Sequence, residues 1–259
     1  MRLTGLFCAA ICALASPAAA DLTVTQTTSG KAMIMNLGGE GVTRIKGNKM
    51  RIDSTRGNDT ETLIIDIDGQ RMISLNAKKK EAIVTPLAKI QEAMGQMATA
   101  DVQAKVTPTG ETKQVAGYSC TVHDVSVSLP FSPGGDMQLS MVMSGPACLS
   151  KEAPGYEDWA RLYRAAAEKG FIFGDPRAAK GPAAAQAKGL ASLYRSMADA
   201  GITLEQQMNV GFEGSGPMAA MMNRMGKSTI GVVVTKVDTA DVPADLFEIP
   251  AGFKVKTEN

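Results

Sequence analysis

Cysteine, histidine and methionine are the residue types in this 259-residue chain whose placement could do chemistry. Of four cysteines, Cys8 and Cys12 fall in an apolar opening segment, which leaves Cys120 and Cys148. In an oxidising compartment such an even pair reads as a disulfide. The spacing is not Cys-x-x-Cys, so no local motif depresses a thiol pKa, and a redox-active pair is the minor alternative. His123 is the single histidine, so a zinc site built on several imidazoles cannot form within one chain. His123 and Asp124 are adjacent in a strand-like run and should point to opposite faces, a poor arrangement for a catalytic dyad. His123 shares the parity of the apolar positions and is expected to be a strand-edge or core residue. Met218, Met221, Met222 and Met225 recur at i, i+3, i+4 and i+7, which a helix gathers onto one face. Thioethers favour Cu(I), and His123 could add a nitrogen. The same spacing also serves ordinary helix packing.

Other reaction classes lack their motifs. No serine is flanked by glycine two residues before and two after, so a nucleophile elbow is absent. Gly226-Lys227-Ser228 resembles the end of a phosphate loop, but Met221 stands where the leading glycine belongs, and a strand pattern follows in place of a helix. No motif implies a cofactor, and the chain is expected not to be an enzyme.

The opening segment sets the compartment. Met1-Arg2-Leu3 carries one positive charge, Leu6 to Ala15 is apolar, and Ser16-Pro17-Ala18-Ala19-Ala20 offers an Ala-x-Ala cleavage site before Asp21. That is the layout of a secretory signal peptide. Residues 1–20 are expected to be removed, leaving one domain over 21–259 in the periplasm. Phe7 and Ile11, which precede Cys8 and Cys12, are not the small residues of a lipoprotein signal. The apolar run falls short of the ~20 residues of a membrane-spanning helix, and no later stretch is longer. The mature chain is therefore expected to be a soluble monomer without a transmembrane segment. Removing Arg2 from 27 basic residues leaves 26 against 26 acidic ones, a neutral chain with no basic excess for nucleic acid.

The elements that must position these residues are mostly strands. Short β-prone runs span Leu22 to Thr28, Lys31 to Leu37, Gly41 to Lys46, Lys49 to Asp53, Glu61 to Ile67, Arg71 to Asn76 and Glu81 to Thr85. Asp68-Gly69 is a strong hairpin signal and would set Asp66 opposite Arg71. Lys78-Lys79-Lys80 reads as a solvated turn. Pro86 suits a helix start, and Leu87, Ile90, Met94 and Met97 form a helical stripe. Thr107 to Gly110 reads as a turn. Between the cysteines, Ser132-Pro133-Gly134-Gly135-Asp136 predicts a hairpin centred on Gly134. That register pairs Val125 with Met143, Val127 with Met141 and Leu129 with Leu139 on one apolar face, and sets Cys120 opposite Cys148. A one-residue slip would lose the sorting. A helical excursion near 149–201 follows, with a helix over Tyr156 to Lys169 whose stripe is Trp159, Leu162, Tyr163 and Ala166, and one over Pro182 to Ala200 whose stripe is Leu190, Leu193, Tyr194 and Met197. Between them lies a loop with Phe171-Ile172-Phe173, a candidate lid or buried anchor. Gly201 is the helix stop. Strands return over Ile202 to Val210 and Ser228 to Val237.

Several pieces together carry a resemblance. They are Gly47-Asn48-Lys49-Met50-Arg51-Ile52-Asp53, the stretch from Ile65 to Lys80, Gly110-Glu111-Thr112-Lys113 with Val115-Ala116-Gly117-Tyr118-Ser119-Cys120, and the ending from Val242 to Phe253. In this order they resemble a secreted bacterial domain family of unknown function, related to the lipoprotein-carrier-like fold of the LolA/LolB/LppX type. The resemblance implies an α+β fold: a strongly curved antiparallel sheet, or half-barrel, with helices covering its concave face. In the carriers, the space between sheet and helices holds acyl chains.

The leading functional expectation is non-catalytic binding of a hydrophobic molecule, a lipid or acyl chain. It rests on export, the antiparallel pattern and apolar faces rich in methionine, a flexible side chain suited to loosely shaped pockets. The candidate lining is Val125, Val127, Leu129, Met141 and Met143 on the hairpin, with Met94 and Met97 on the first helix. The alternatives are a packed core at the same positions, Cu(I) binding by the methionine group, and a structural or interaction role in the cell envelope.

Overall fold

A computed structural model describes residues 21–32, 35–36, 38–90, 103–131, 139–169, 192–215, 220–221 and 228–258. The strands in chain order are β1 (Leu22–Ala32), β2 (Met35–Asn36), β3 (Gly39–Lys46), β4 (Lys49–Arg56), β5 (Asp59–Asp66), β6 (Arg71–Asn76), β7 (Glu81–Pro86), β8 (Gln103–Val115), β9 (Tyr118–Phe131), β10 (Leu139–Ser150), β11 (Ile202–Gly214), β12 (Ser228–Asp238) and β13 (Lys254–Thr257). They join in one open sheet of order β13-β7-β6-β5-β4-β3-β1-β12-β11-β10-β9-β8, with β2 pairing β1 to the side. Every pairing is antiparallel except β13 on β7. The first strand of the chain thus lies mid-sheet, where β12 returns to close the two halves together.

The sheet curls. In a flat sheet, β8 and β12 would stand about 19 Å apart across four strand spacings. Yet some of their Cα atoms come within 8 Å of one another. Helix Tyr156–Lys169 fills the concavity: Trp159, Leu162 and Ala166 join one apolar cluster with Leu22, Ile45, Met50, Ile65 and Met72 from one half and Val122, Leu204 and Val234 from the other. That helix has the predicted bounds, with Glu157 and Asp158 in its first turn and Lys169 in its last, as the helix dipole favours. A second helix covers 192–200 and ends at Gly201, whose N–H donates to the Met197 carbonyl at 2.9 Å. Trp159 stacks on Tyr163 within the first helix, and the two helices are tied by Tyr163 meeting Tyr194 edge-on and by Arg164 bound to Asp199. Burial pushes the Tyr163 hydroxyl pKa well up.

The convex side at β5–β7 is covered by the C-terminal segment. Val242 and Phe247 pack on Ile64, Ile73, Leu75 and Ala82. The one-turn 3-10 helix Ala244–Phe247 brings Phe247 onto that face, and β13 then extends the sheet edge beside β7.

Three expectations need correction. The Cys120–Cys148 hairpin is displaced by two residues: Met143 pairs with Val127, Met141 with Leu129, and Val122 stands opposite Cys148. Because side chains alternate with a period of two, an even slip keeps every residue on its predicted face, and patterning cannot distinguish the two registers. The residues 107–110 make no chain reversal; β8 runs through them with a register shift between Pro108 and Thr112, where Gly110 takes φ +85°. A proline is tolerated there because β8 is an edge strand. Gly30 does not end the first strand. A Cβ there would meet the Thr229 carbonyl oxygen at 2.0 Å, so glycine lets β1 and β12 approach closely within a continuous strand.

Candidate functional site

The hairpin β9–β10 carries the site. Its alternating sequence places Val125 and Val127 on one face, where they are 1% and 0% exposed. They form a second apolar cluster with Ala147, Leu149, Met208 and Leu193. Met141, Met143 and Met197 pack against it while only half-buried. Of the predicted lining residues, Val125, Val127, Met141 and Met143 are therefore brought together. Leu129 pairs with Met141 through its backbone. Met94 and Met97 lie outside the described residues, as do Phe171, Ile172 and Phe173.

Helix 192–200 supplies residues that the hairpin pattern could not identify. Leu193 and Met197 come from the predicted helical stripe and face the hairpin. Met208 shares the parity of the buried Ile202 and Leu204 in β11, and that alternation is the sequence signal for it. The face thus gathers Met141, Met143, Met197 and Met208, long unbranched thioether side chains that repack at little cost.

At the foot of the hairpin, Cys120 and Cys148 are joined in a disulfide with Cα atoms 5.4 Å apart. Both cysteines are buried, at 3% exposure each, within the cluster around Trp159. His123 is 8% exposed while its neighbour Asp124 is exposed, so the two occupy opposite faces as expected and form no dyad. The His123 ring uses Nδ1 to donate to the Thr121 carbonyl at 2.9 Å. Ser150 Oγ donates to the Ser119 carbonyl at 2.6 Å and accepts from the Glu152 and Ala153 amides, which fixes the chain as it leaves β10. A cleft of about 270 Å³ opens here between β9, the end of β10 and Ala200.

The strongest electrostatics lie elsewhere, on the convex face. Asp53 accepts from Arg44, Arg51 and Thr62, and Arg51 also donates to the Leu246 carbonyl at 2.7 Å. Burial pushes the Asp53 carboxyl up, but the bonds from Arg51 and Thr62 and the charges of Arg51 and Arg44 outweigh it and hold the pKa below the usual carboxylate range. Asp66 faces Arg71 as predicted, at 3.1 Å. Lys46 bridges Asp21 and Asp241, and these two carboxylates raise its pKa. These networks fasten strands and the C-terminal segment; they do not converge on a cleft.

No group of three or more His, Cys, Asp or Glu side chains that could hold a metal occurs among the described residues. Of the predicted methionine group, Met221 is 53% exposed, and Met218, Met222 and Met225 lie outside the described residues. No helix among the described residues is long and apolar enough to cross a membrane.

Comparison with known proteins gives one family match. The model of a domain of unknown function, DUF4412, matches residues 30–142, less than half of the chain. The match takes in β2 to β9, with Cys120, His123, Val125 and Val127, and stops near the start of β10. It agrees with the expected likeness to a family of unknown function. None of the curated proteins compared with the chain matches it. Among solved structures, PNGF-II is similar over 93% of this chain at 12% identity, with a TM-score of 0.37. The chain spans 31% of that protein's length, and a likeness at this score carries no argument.

Proposed function

We propose that this is an exported, non-catalytic protein of the cell envelope that binds a hydrophobic ligand, a lipid or acyl chain, between a carrier-like half-barrel sheet and its covering helices. The observation that carries the reading is the methionine-lined face of the β9–β10 hairpin. Met141, Met143 and Met197 are only half-buried beside the fully buried Val125 and Val127. A ligand chain lying there would cover thioether surface that now meets solvent. At roughly 25 cal/mol per Å² of apolar area removed from water, covering three such side chains contributes a few kcal/mol, and the rest of the binding energy comes from the ligand chain's own apolar surface. The curl of the sheet and the disulfide at the hairpin's foot support the same reading, since they hold the face in one shape without a ligand.

The test is binding of N-phenyl-1-naphthylamine, an apolar dye that fluoresces in dry surroundings. The purified protein is expected to bind it and to release it to fatty acids. A Met141→Gln/Met143→Gln variant is expected to lose at least tenfold in affinity while keeping its far-ultraviolet circular dichroism. Absence of dye binding by a folded wild type refutes the reading and favours a purely structural or interaction role.

A further inference from the structure

The apolar row on β9 ends in a polar residue on the same face. Residues 123, 125 and 127 alternate onto one side of the strand, and His123 lies about 13 Å from Val127 along it. His123 is 8% exposed. A carbonyl oxygen can only accept, so the contact with Thr121 assigns the proton to Nδ1 and leaves Nε2 of the neutral ring as a bare acceptor. Nε2 has no hydrogen-bond partner among the described residues. No fully buried side-chain nitrogen or oxygen among them lacks one, so Nε2 keeps some exposure, and His123 is one of the residues lining the cleft.

That cleft joins the two kinds of surface. Leu149 and Ala200 line it and also belong to the methionine-rich cluster. Lys151 and Glu152, both exposed, line it from the other side. The Ser150 hydroxyl accepts from the Glu152 amide and so holds this charged pair at the mouth. A volume of about 270 Å³ suits a polar head group and is too small for a whole lipid.

We propose that the cleft receives the amine-bearing head group of an amphiphile whose chain lies along the methionine face. The proposal rests on the hydrophobic-ligand reading above and specifies its substrate class as a phosphoethanolamine-type amphiphile. The ammonium group donates to His123 Nε2 and to the Glu152 carboxylate, and the phosphate pairs with Lys151. A trimethylated amine has no N–H to give and leaves Nε2 without its donor.

Lysophosphatidylethanolamine and lysophosphatidylcholine of equal chain length, both below their micelle concentrations, are titrated against bound N-phenyl-1-naphthylamine. The wild type is expected to bind the ethanolamine form about tenfold more tightly, the worth of one charge-assisted hydrogen bond. His123→Phe keeps a ring in the site and is expected to reduce the preference severalfold. Glu152→Gln, an exposed change that does not threaten folding, is expected to reduce the preference severalfold. Equal binding of the two lysolipids by the wild type overturns the head-group assignment, as does a preference that survives Glu152→Gln and a folded His123→Phe. In either case dye displacement leaves the hydrophobic reading standing. If neither the dye nor the lysolipids bind, both proposals fall together.

Discussion

The β3–β7 half of the sheet and the β8–β11 half are held by different means. In the first, apolar groups pack both faces: Ile45, Met50, Ile65 and Met72 against the central helix, and Ile64, Ile73 and Ala82 against the C-terminal segment, all at 0% exposure. Ion pairs of Lys49 with Glu248 and Lys46 with Asp241, and a hydrogen bond from Arg51 to the Leu246 carbonyl, then fasten the covering chain. In the second half, the hairpin bears half-buried methionines, a cleft and a histidine with an open nitrogen. Its fastening is a covalent bond at one end. A densely packed half needs no disulfide. A half that leaves apolar surface uncovered gives up packing energy, and a crosslink that restricts the unfolded chain offsets this without filling the face.

Breaking the packed half should have the largest effect. Phe247→Ala removes a side chain that is 1% exposed and should cost about 3–5 kcal/mol, read as a lower urea midpoint. Next is the crosslink. Replacing Cys120 and Cys148 by alanine opens a loop with a separation of 28 residues, a loss of about 3.5 kcal/mol in the chain-entropy model. Wild-type protein unfolded with and without reductant should show the same gap.

Asp53 gives a smaller and pH-dependent effect. Its folded pKa lies below the unfolded value of ~3.9, so its contribution is present above that pH and is lost as pH falls through the folded value. Asp53→Asn should cost about 1–2 kcal/mol at pH 7 and flatten the acid limb of the stability curve. A variant whose acid limb is unchanged would contradict this role. Met143→Ala should cost about 1 kcal/mol, since the side chain is only half-buried, yet weaken dye binding severalfold. At the bottom of the order, Lys236→Ala removes an exposed pair with Asp238 and should leave the urea midpoint unmoved within error.

Much of this arrangement was legible in the residues because it follows from local rules. Alternation and Asp68-Gly69 placed β5 opposite β6 with Asp66 facing Arg71, and the stripe from Trp159 to Ala166 marked the central helix. The disulfide followed from cysteine count and compartment. The two-residue slip of the hairpin was not legible, because period two is blind to even shifts. Nor was the reading of 107–110, where Thr-Pro-Thr-Gly suits a bulge in an edge strand as well as a turn. The cleft was hidden for a different reason. It combines Thr121 and His123 in β9 with Ser150 to Glu152 and with Ala200, which only the tertiary fold brings together.

The central claim, that the methionine face holds a hydrophobic ligand, is tested most directly by native mass spectrometry of the protein isolated from its own cell envelope, followed by organic extraction. A bound mass that extracts as lipid and is absent from the Met141→Gln/Met143→Gln variant is the predicted result. A bare protein mass from freshly isolated material, together with no uptake of added lysolipid, would contradict it.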